Sequence, residues 1–243
     1  MFSTFNPNGG RQMTQASTHL AHFGVKGMRW GVRNDRIGSS EYYNKGFSQT
    51  DPVYRILSKS GSRKLSDVAY VSTNDVDNNR YIHILNHTIS ARLVKDARYE
   101  TQLVLGSKVP LRAPSIKVAE AEMQKLHEAN PVVQKFVKDN ELYFGKNPTP
   151  AKLNQILNTA LVDNDVLFEG STKMRAEVKA HFKRKGYNSM LDLNDIRSGL
   201  AKTPLIVFDP ERTLSIVSKS KIDDVIKAAS TKVYKETKKS GYT

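Results

Sequence analysis

The hydrophobic period changes twice along this chain, and that ordering constrains the fold more than any other feature. Between Leu65 and Pro114 apolar residues gather in short strand-like runs, Val68-Ala69-Tyr70-Val71, Tyr81-Ile82-His83-Ile84-Leu85 and Thr101-Gln102-Leu103-Val104-Leu105, separated by Asn/Asp and Gly/Ser turns. From Ser115 to Gly186 the spacing becomes helical. Strand-like runs return at Tyr187 to Leu193, Pro204 to Phe208 and Thr213 to Val217. Strands this far apart in sequence must pair to complete a sheet, so the expected class is α+β: a mixed or antiparallel sheet around a helical middle segment.

Capping signals mark the helices. Ser115 can cap a helix with a face of Ile116, Ala119, Met123 and Leu126, and Pro131 starts another helix through Val133, Phe136 and Val137. Thr149-Pro150 opens the cleanest amphipathic stripe, Leu153, Ile156, Leu157, Ala160 and Leu161. After Ser171 a further helix buries Met174, Val178 and Phe182 and stops at Gly186, with Lys183, Arg184 and Lys185 complementing its dipole. Ser220 with Asp223 resembles a capping box for a last helix carrying Ile222, Val225 and Ile226. Asp51-Pro52 reads as an N-cap followed by Pro, opening a short helix through Val53, Ile56 and Leu57. Residues 1–50 hold no lasting period and read as an extended N-terminal arm, 51–229 as the globular domain and 230–243 as a basic tail.

Charge narrows the partners. The 243 residues carry 38 Lys+Arg against 24 Asp+Glu, a formal charge of +14, and no Cys. Disulfides, thiolate metal sites and Cys nucleophiles are thereby excluded. So large a cationic excess is attracted to polyanions through counterion release, or it coats a merely basic, solvated surface. Lys232, Lys235, Lys238 and Lys239 in the tail either touch the phosphates of DNA without base specificity or form a frayed terminus. The longest apolar stretches, such as Leu205 to Phe208, fall far short of the roughly 20 residues that cross a bilayer, so no membrane partner is expected.

The most unusual local sequence is His22-Phe23-Gly24-Val25-Lys26-Gly27-Met28-Arg29-Trp30-Gly31-Val32-Arg33, which holds the chain's one Trp. Its glycines open backbone conformations closed to other residues. Phe23, Met28 and Trp30 supply apolar anchors, and Lys26, Arg29 and Arg33 supply charge. That combination suits a short peptide docking in a groove of another protein, since aromatic and Arg residues are enriched at interface hot spots. The alternative is an aromatic-Gly knot covering its own domain. The segment resembles the His-aromatic-Gly-x-x-Gly-Met-basic-Trp-Gly-x-basic motif of structural and head-associated proteins of tailed bacteriophages. The resemblance implies a minor structural or internal head protein of the virion, made in the host cytoplasm. Its partners would be other virion proteins and packaged DNA, with His22, Phe23, Gly24, Lys26, Gly27, Met28, Arg29, Trp30, Gly31 and Arg33 as the docking residues and no cofactor.

A second resemblance lies in the body. Lys185-Gly186-Tyr187-Asn188-Ser189-Met190-Leu191-Asp192-Leu193-Asn194-Asp195, followed by Pro204-Leu205-Ile206-Val207-Phe208-Asp209-Pro210, is similar to the closing segment of ADP-ribosyltransferase-like domains. Membership would imply a split α+β sheet cradling NAD. Such a transferase needs a cation or His near the start of its first strand to hold the dinucleotide, and a late carboxylate, usually Glu, against the oxocarbenium-like transition state. Arg80 beside Tyr81 is the candidate for the first need, and Asp192 or Asp195 for the second; no Glu stands in the expected closing strand, and a Ser72-Thr73 pair follows a strand.

Other groupings read as ordinary structure. His83 and His87 are four apart, but the residues between them read as strand and turn, and His19 with His22 has no third ligand, so no metal is expected. Asp75, Asp77, Asn78 and Asn79 lack the Gly and terminal Glu of a calcium loop and read as a hairpin turn, while Asp163-Asn164-Asp165 reads as a loop.

Overall fold

The computed structural model describes residues 40–58, 65, 67–86, 99–162, 165 and 167–225. In chain order the elements are β1 (Phe47–Gln49), β2 (Val53–Ser58), β3 (Val68–Ser72), α1 (Asp75–Asn86), β4 (Tyr99–Ser107), β5 (Leu111–Ala113), α2 (Ile116–Ala129), α3 (Pro131–Asp139), α4 (Glu141–Phe144), α5 (Pro150–Ala160), α6 (Ser171–Arg184), β6 (Ser189–Leu191), α7 (Leu193–Ser198), β7 (Pro204–Phe208), α8 (Pro210–Thr213) and β8 (Leu214–Lys221). Six strands form one sheet in the order β6-β7-β3-β2-β4-β8, and β1 pairs with β5 in a two-stranded sheet. Every pairing is antiparallel, so the class is α+β with the antiparallel alternative realised.

The sheet closes across the helical middle. β3 pairs with β7, Val68 opposite Phe208 through Ser72 opposite Pro204, and β4 pairs with β8, Thr101 opposite Lys221 through Ser107 opposite Leu214. The two-residue period of β7 feeds two cores. Ile206 and Phe208 join Met123, Leu157, Val178 and Phe182 of the helical layer, while Leu205 and Val207 join Val53, Val71, Leu103 and Leu105. A smaller cluster gathers Ile56, Tyr81, Ile82, Leu200, Ala201 and Ile222.

The helical middle follows its sequence signals. Ser115 Oγ accepts from Val118 N at 3.2 Å, Asn130 caps α3 through Val132 and Val133 N–H, and Thr149 Oγ1 accepts from Lys152 N. The expected apolar faces of α2, α3, α5 and α6 are the buried ones.

Several expectations fail. Val53-Tyr54-Arg55-Ile56-Leu57 is not a helix after Asp51-Pro52 but strand β2, because its backbone finds a full ladder on β4, from Val53 opposite Leu105 to Ser58 opposite Tyr99. Apolar residues at 53, 56 and 57 satisfy a helical spacing equally well, and tertiary pairing decides. Tyr81 to Leu85 is helical rather than extended, and Asp75, Asp77, Asn78 and Asn79 form the first turns of that helix rather than a hairpin. Asn74 Oδ1 accepts from Asp77 N at 2.8 Å, and acids in the first turn complement the dipole. The arm does not run to residue 50: Phe47 is buried and β1 pairs with Leu111–Ala113 of β5. The strand expected to end at Leu193 stops at Leu191, where Asp192 caps α7. Residues 1–39, His87, Asp163, Asn164 and the tail with Lys232, Lys235, Lys238 and Lys239 lie outside the described residues, as does the side chain of His83.

Leu157 is fully buried between α5 and the sheet. Leu157→Ala is expected to lower the unfolding free energy by about 2–5 kcal/mol in urea denaturation. An unchanged midpoint would separate the helical layer from the cooperative core.

Candidate functional site

The four residues singled out for NAD chemistry converge where α1 meets α7. The Tyr81 hydroxyl of α1 donates to Asp195 Oδ2, and Arg80 Nη1, one residue earlier, donates to Gly199 O at 3.1 Å. Asp192 precedes α7 as its N-cap, Oδ1 accepting from Asn194 N at 2.9 Å and Asp195 N at 3.3 Å. Asp77, one turn before Tyr81 on α1, accepts from Lys202 N at 2.9 Å and Thr203 N at 3.1 Å. Asp77, Arg80 and Tyr81 share a helix face at i, i+3 and i+4, so α1 clasps α7 and the segment entering β7.

Burial sets the chemistry of this junction. Asp195 is 2% exposed and Asp192 1%. Burial pushes the Asp195 carboxyl up to about 7, with the Tyr81 hydrogen bond pulling the other way. Burial and the neighbouring Asp195 raise the Tyr81 and Tyr99 phenols. A carboxyl of this kind exchanges a proton near neutrality, but this one is buried and held by the Tyr81 hydroxyl.

Two arrangements escaped the sequence reading. Arg55 of β2 lies opposite Leu103 of β4, and burial lowers its pKa. Its Nε and Nη1 are enclosed with no hydrogen-bond partner among the described residues. The signal was hidden because residues 53–57 fit a helical spacing, in which a lone Arg is a surface residue. The second arrangement bridges α6 to the ends of β3 and β7. Arg175 reaches Asp67 at 3.4 Å, Lys179 reaches Asp209 at 2.7 Å and also Asp67, and Lys183 reaches Asp209. Arg175, Lys179 and Lys183 recur every four residues, a spacing visible in the sequence; their acidic partners were not. Asp209 adopts φ +45°, and although burial raises its pKa, hydrogen bonds from Lys179 and Lys183 bring it below its ordinary value. An open cleft of ≈ 360 Å³ beside it is lined by Leu65, Asp67, Asp209, Glu211 and Arg212. Such a network fastens α6 across the sheet.

The docking residues His22, Phe23, Gly24, Lys26, Gly27, Met28, Arg29, Trp30, Gly31 and Arg33 lie outside the described residues. Among the described residues no group of three or more His, Asp or Glu side chains is placed to hold a metal ion.

Because the Asp195 pKa is raised in the folded chain, its stabilising contribution is complete below about pH 4 and is lost as pH rises through about 7. The free energy of unfolding of Asp195→Asn, whose amide keeps an acceptor for Tyr81 without ionising, is therefore expected to gain on that of the parent chain between pH 4 and 8. The gain approaches roughly 1.4 kcal/mol per pH unit within the window. Parallel stability profiles of the two chains by urea denaturation would refute the assignment.

A family model described as a family of unknown function, DUF7211, matches residues 13–37, which contain the whole of the 22–33 segment. No curated protein and no solved structure matches the chain.

Proposed function

We propose that the chain is a structural or internal head protein of a tailed-phage particle. Its 22–33 segment docks on another virion subunit, and the α+β body is carried with it. The observation that supports this most is the extent of the family match: it encloses the aromatic-Gly segment and stops at residue 37, ahead of the first strand at Phe47. A leader matched apart from the body suits a docking segment, and Trp30 with Arg29 is the kind of pair that anchors one. The formal charge of +14 suits a molecule kept close to confined DNA, with Lys232, Lys235, Lys238 and Lys239 as sequence-independent phosphate contacts. Among the described residues no helix is long and apolar enough to cross a membrane.

Binding of the full chain to purified head proteins, compared between the parent and Trp30→Ala, tests the reading. A loss of at least tenfold, about 1.4 kcal/mol, is expected. Equal retention of the two proteins would remove the docking role.

A second reading, an NAD-using ADP-ribosyltransferase-like effector carried by the particle, is favoured by one observation. The Arg55 guanidinium, whose enclosed Nε and Nη1 have no hydrogen-bond partner among the described residues, stands in the first strand of the six-stranded sheet, a better place than Arg80 for a cation that holds a dinucleotide phosphate. Asp192 and Asp195 are committed to the α7 cap and to Tyr81, which leaves this reading without a reachable carboxylate in the predicted positions. Transfer of label from NAD to host lysate, abolished in Arg55→Ala, is its expected signature; a parent chain without transfer rules it out.

A further inference from the structure

Asn154 stands inside α5 with no exposed surface, and neither its Oδ1 nor its Nδ2 has a hydrogen-bond partner among the described residues. Enclosing a carboxamide without partners forfeits its hydrogen bonds to water, which makes an unsatisfied Asn a poor choice beside Leu153 and Leu157. The side chain lines a small cavity between α5, the start of α2 and β6, whose other walls include Ile116, Ala119, Asn158, Met190 and Leu191. The cavity leaves ≈ 10 Å³ for the centre of a water molecule, the room that about one water needs.

Size and chemistry together select the occupant. The first amides of α2, which would attract an anion, are already taken: Ile116 N–H by Tyr42 O, Lys117 N–H by Tyr43 O, Val118 N–H by Ser115 Oγ and Ala119 N–H by Ser115 O. No cationic side chain lines the space, and a metal cation would need several more oxygens than it offers. Oxygen acceptors with spare lone pairs are at hand. Asn158 Nδ2 donates to Leu191 O at 2.9 Å and Asn158 Oδ1 accepts from Leu193 N at 3.0 Å, and each of these oxygens can accept a second bond.

We infer that Asn154 is the polar wall of a site for one ordered water, which joins α5 to the β6–α7 segment alongside the Asn158 bonds. The water both donates and accepts, so it satisfies the carboxamide and makes the two to four bonds typical of internal water. It thereby gives the turn that carries Asp192 a second fastening to the helical layer.

Oxygen-17 relaxation dispersion on the full chain counts internal waters held longer than bulk solvent, and a crystal structure locates them. The expected result is one water within hydrogen-bond distance of the Asn154 amide in the parent chain and one fewer long-lived water in Asn154→Leu. An unchanged count in that variant, or a parent cavity without a water in the crystal, overturns the inference. Should Asn154→Leu fail to fold, the crystal structure of the parent decides alone.

Discussion

The antiparallel pairing of β3 with β7 is the contact on which the remaining structure depends. β7 is buried along its whole length, so each of its residues faces one of two apolar cores. A one-residue slip would exchange Ile206 and Phe208 with Leu205 and Val207 and send every side chain to the wrong layer. The register is therefore held by both layers at once. The α1–α7 clasp and the Asp67–Lys179–Asp209 network lie at opposite ends of the same strand pair: Thr203 precedes β7, and Asp209 follows it.

The electrostatics divide along the same line. At the α6 end, charges are partly exposed and matched, so carboxylates are held ionised; Glu122 is a further case, where burial is outweighed by Lys125, Lys185 and His181 and the carboxyl falls to about 2. At the α7 end, a carboxyl is enclosed with a phenol, and its proton is retained to near neutrality. Two acidic side chains that flank one strand, Asp195 ahead of β7 and Asp209 just after it, thus answer to opposite forces, desolvation for Asp195 and ion pairing for Asp209.

Local signals were legible where their partners are local. Ser115, Asn130 and Thr149 bond to amides within three residues of themselves, so the helical middle could be read from the sequence. The strand class was legible too, because Val68–Ser72 and Pro204–Phe208 keep apolar residues on both faces. What escaped depended on distant chain. Whether Val53, Ile56 and Leu57 line a helix or a strand is settled only by β4, and the Tyr81 run was β-like in composition but is held helical by the Asn74 cap and its docking on α7. The candidate residues Tyr81 and Asp195 were chosen separately, for separate roles; their hydrogen bond to each other is a product of tertiary packing.

The long reach of the sheet has a consequence for the timing of biosynthesis. Residues 68–72 and 99–107 pair with β2 on one side, but their other ladders form on residues 204–208 and 214–221, so the central sheet cannot close while the ribosome is still making the middle of the chain. Loop closure over such distances slows folding. At elongation speeds of about 5–20 residues per second, residues 13–37 are made on the order of ten seconds before those last strands. Residues 13–37, the stretch that the family model covers, are therefore complete before the body that follows them can take its shape.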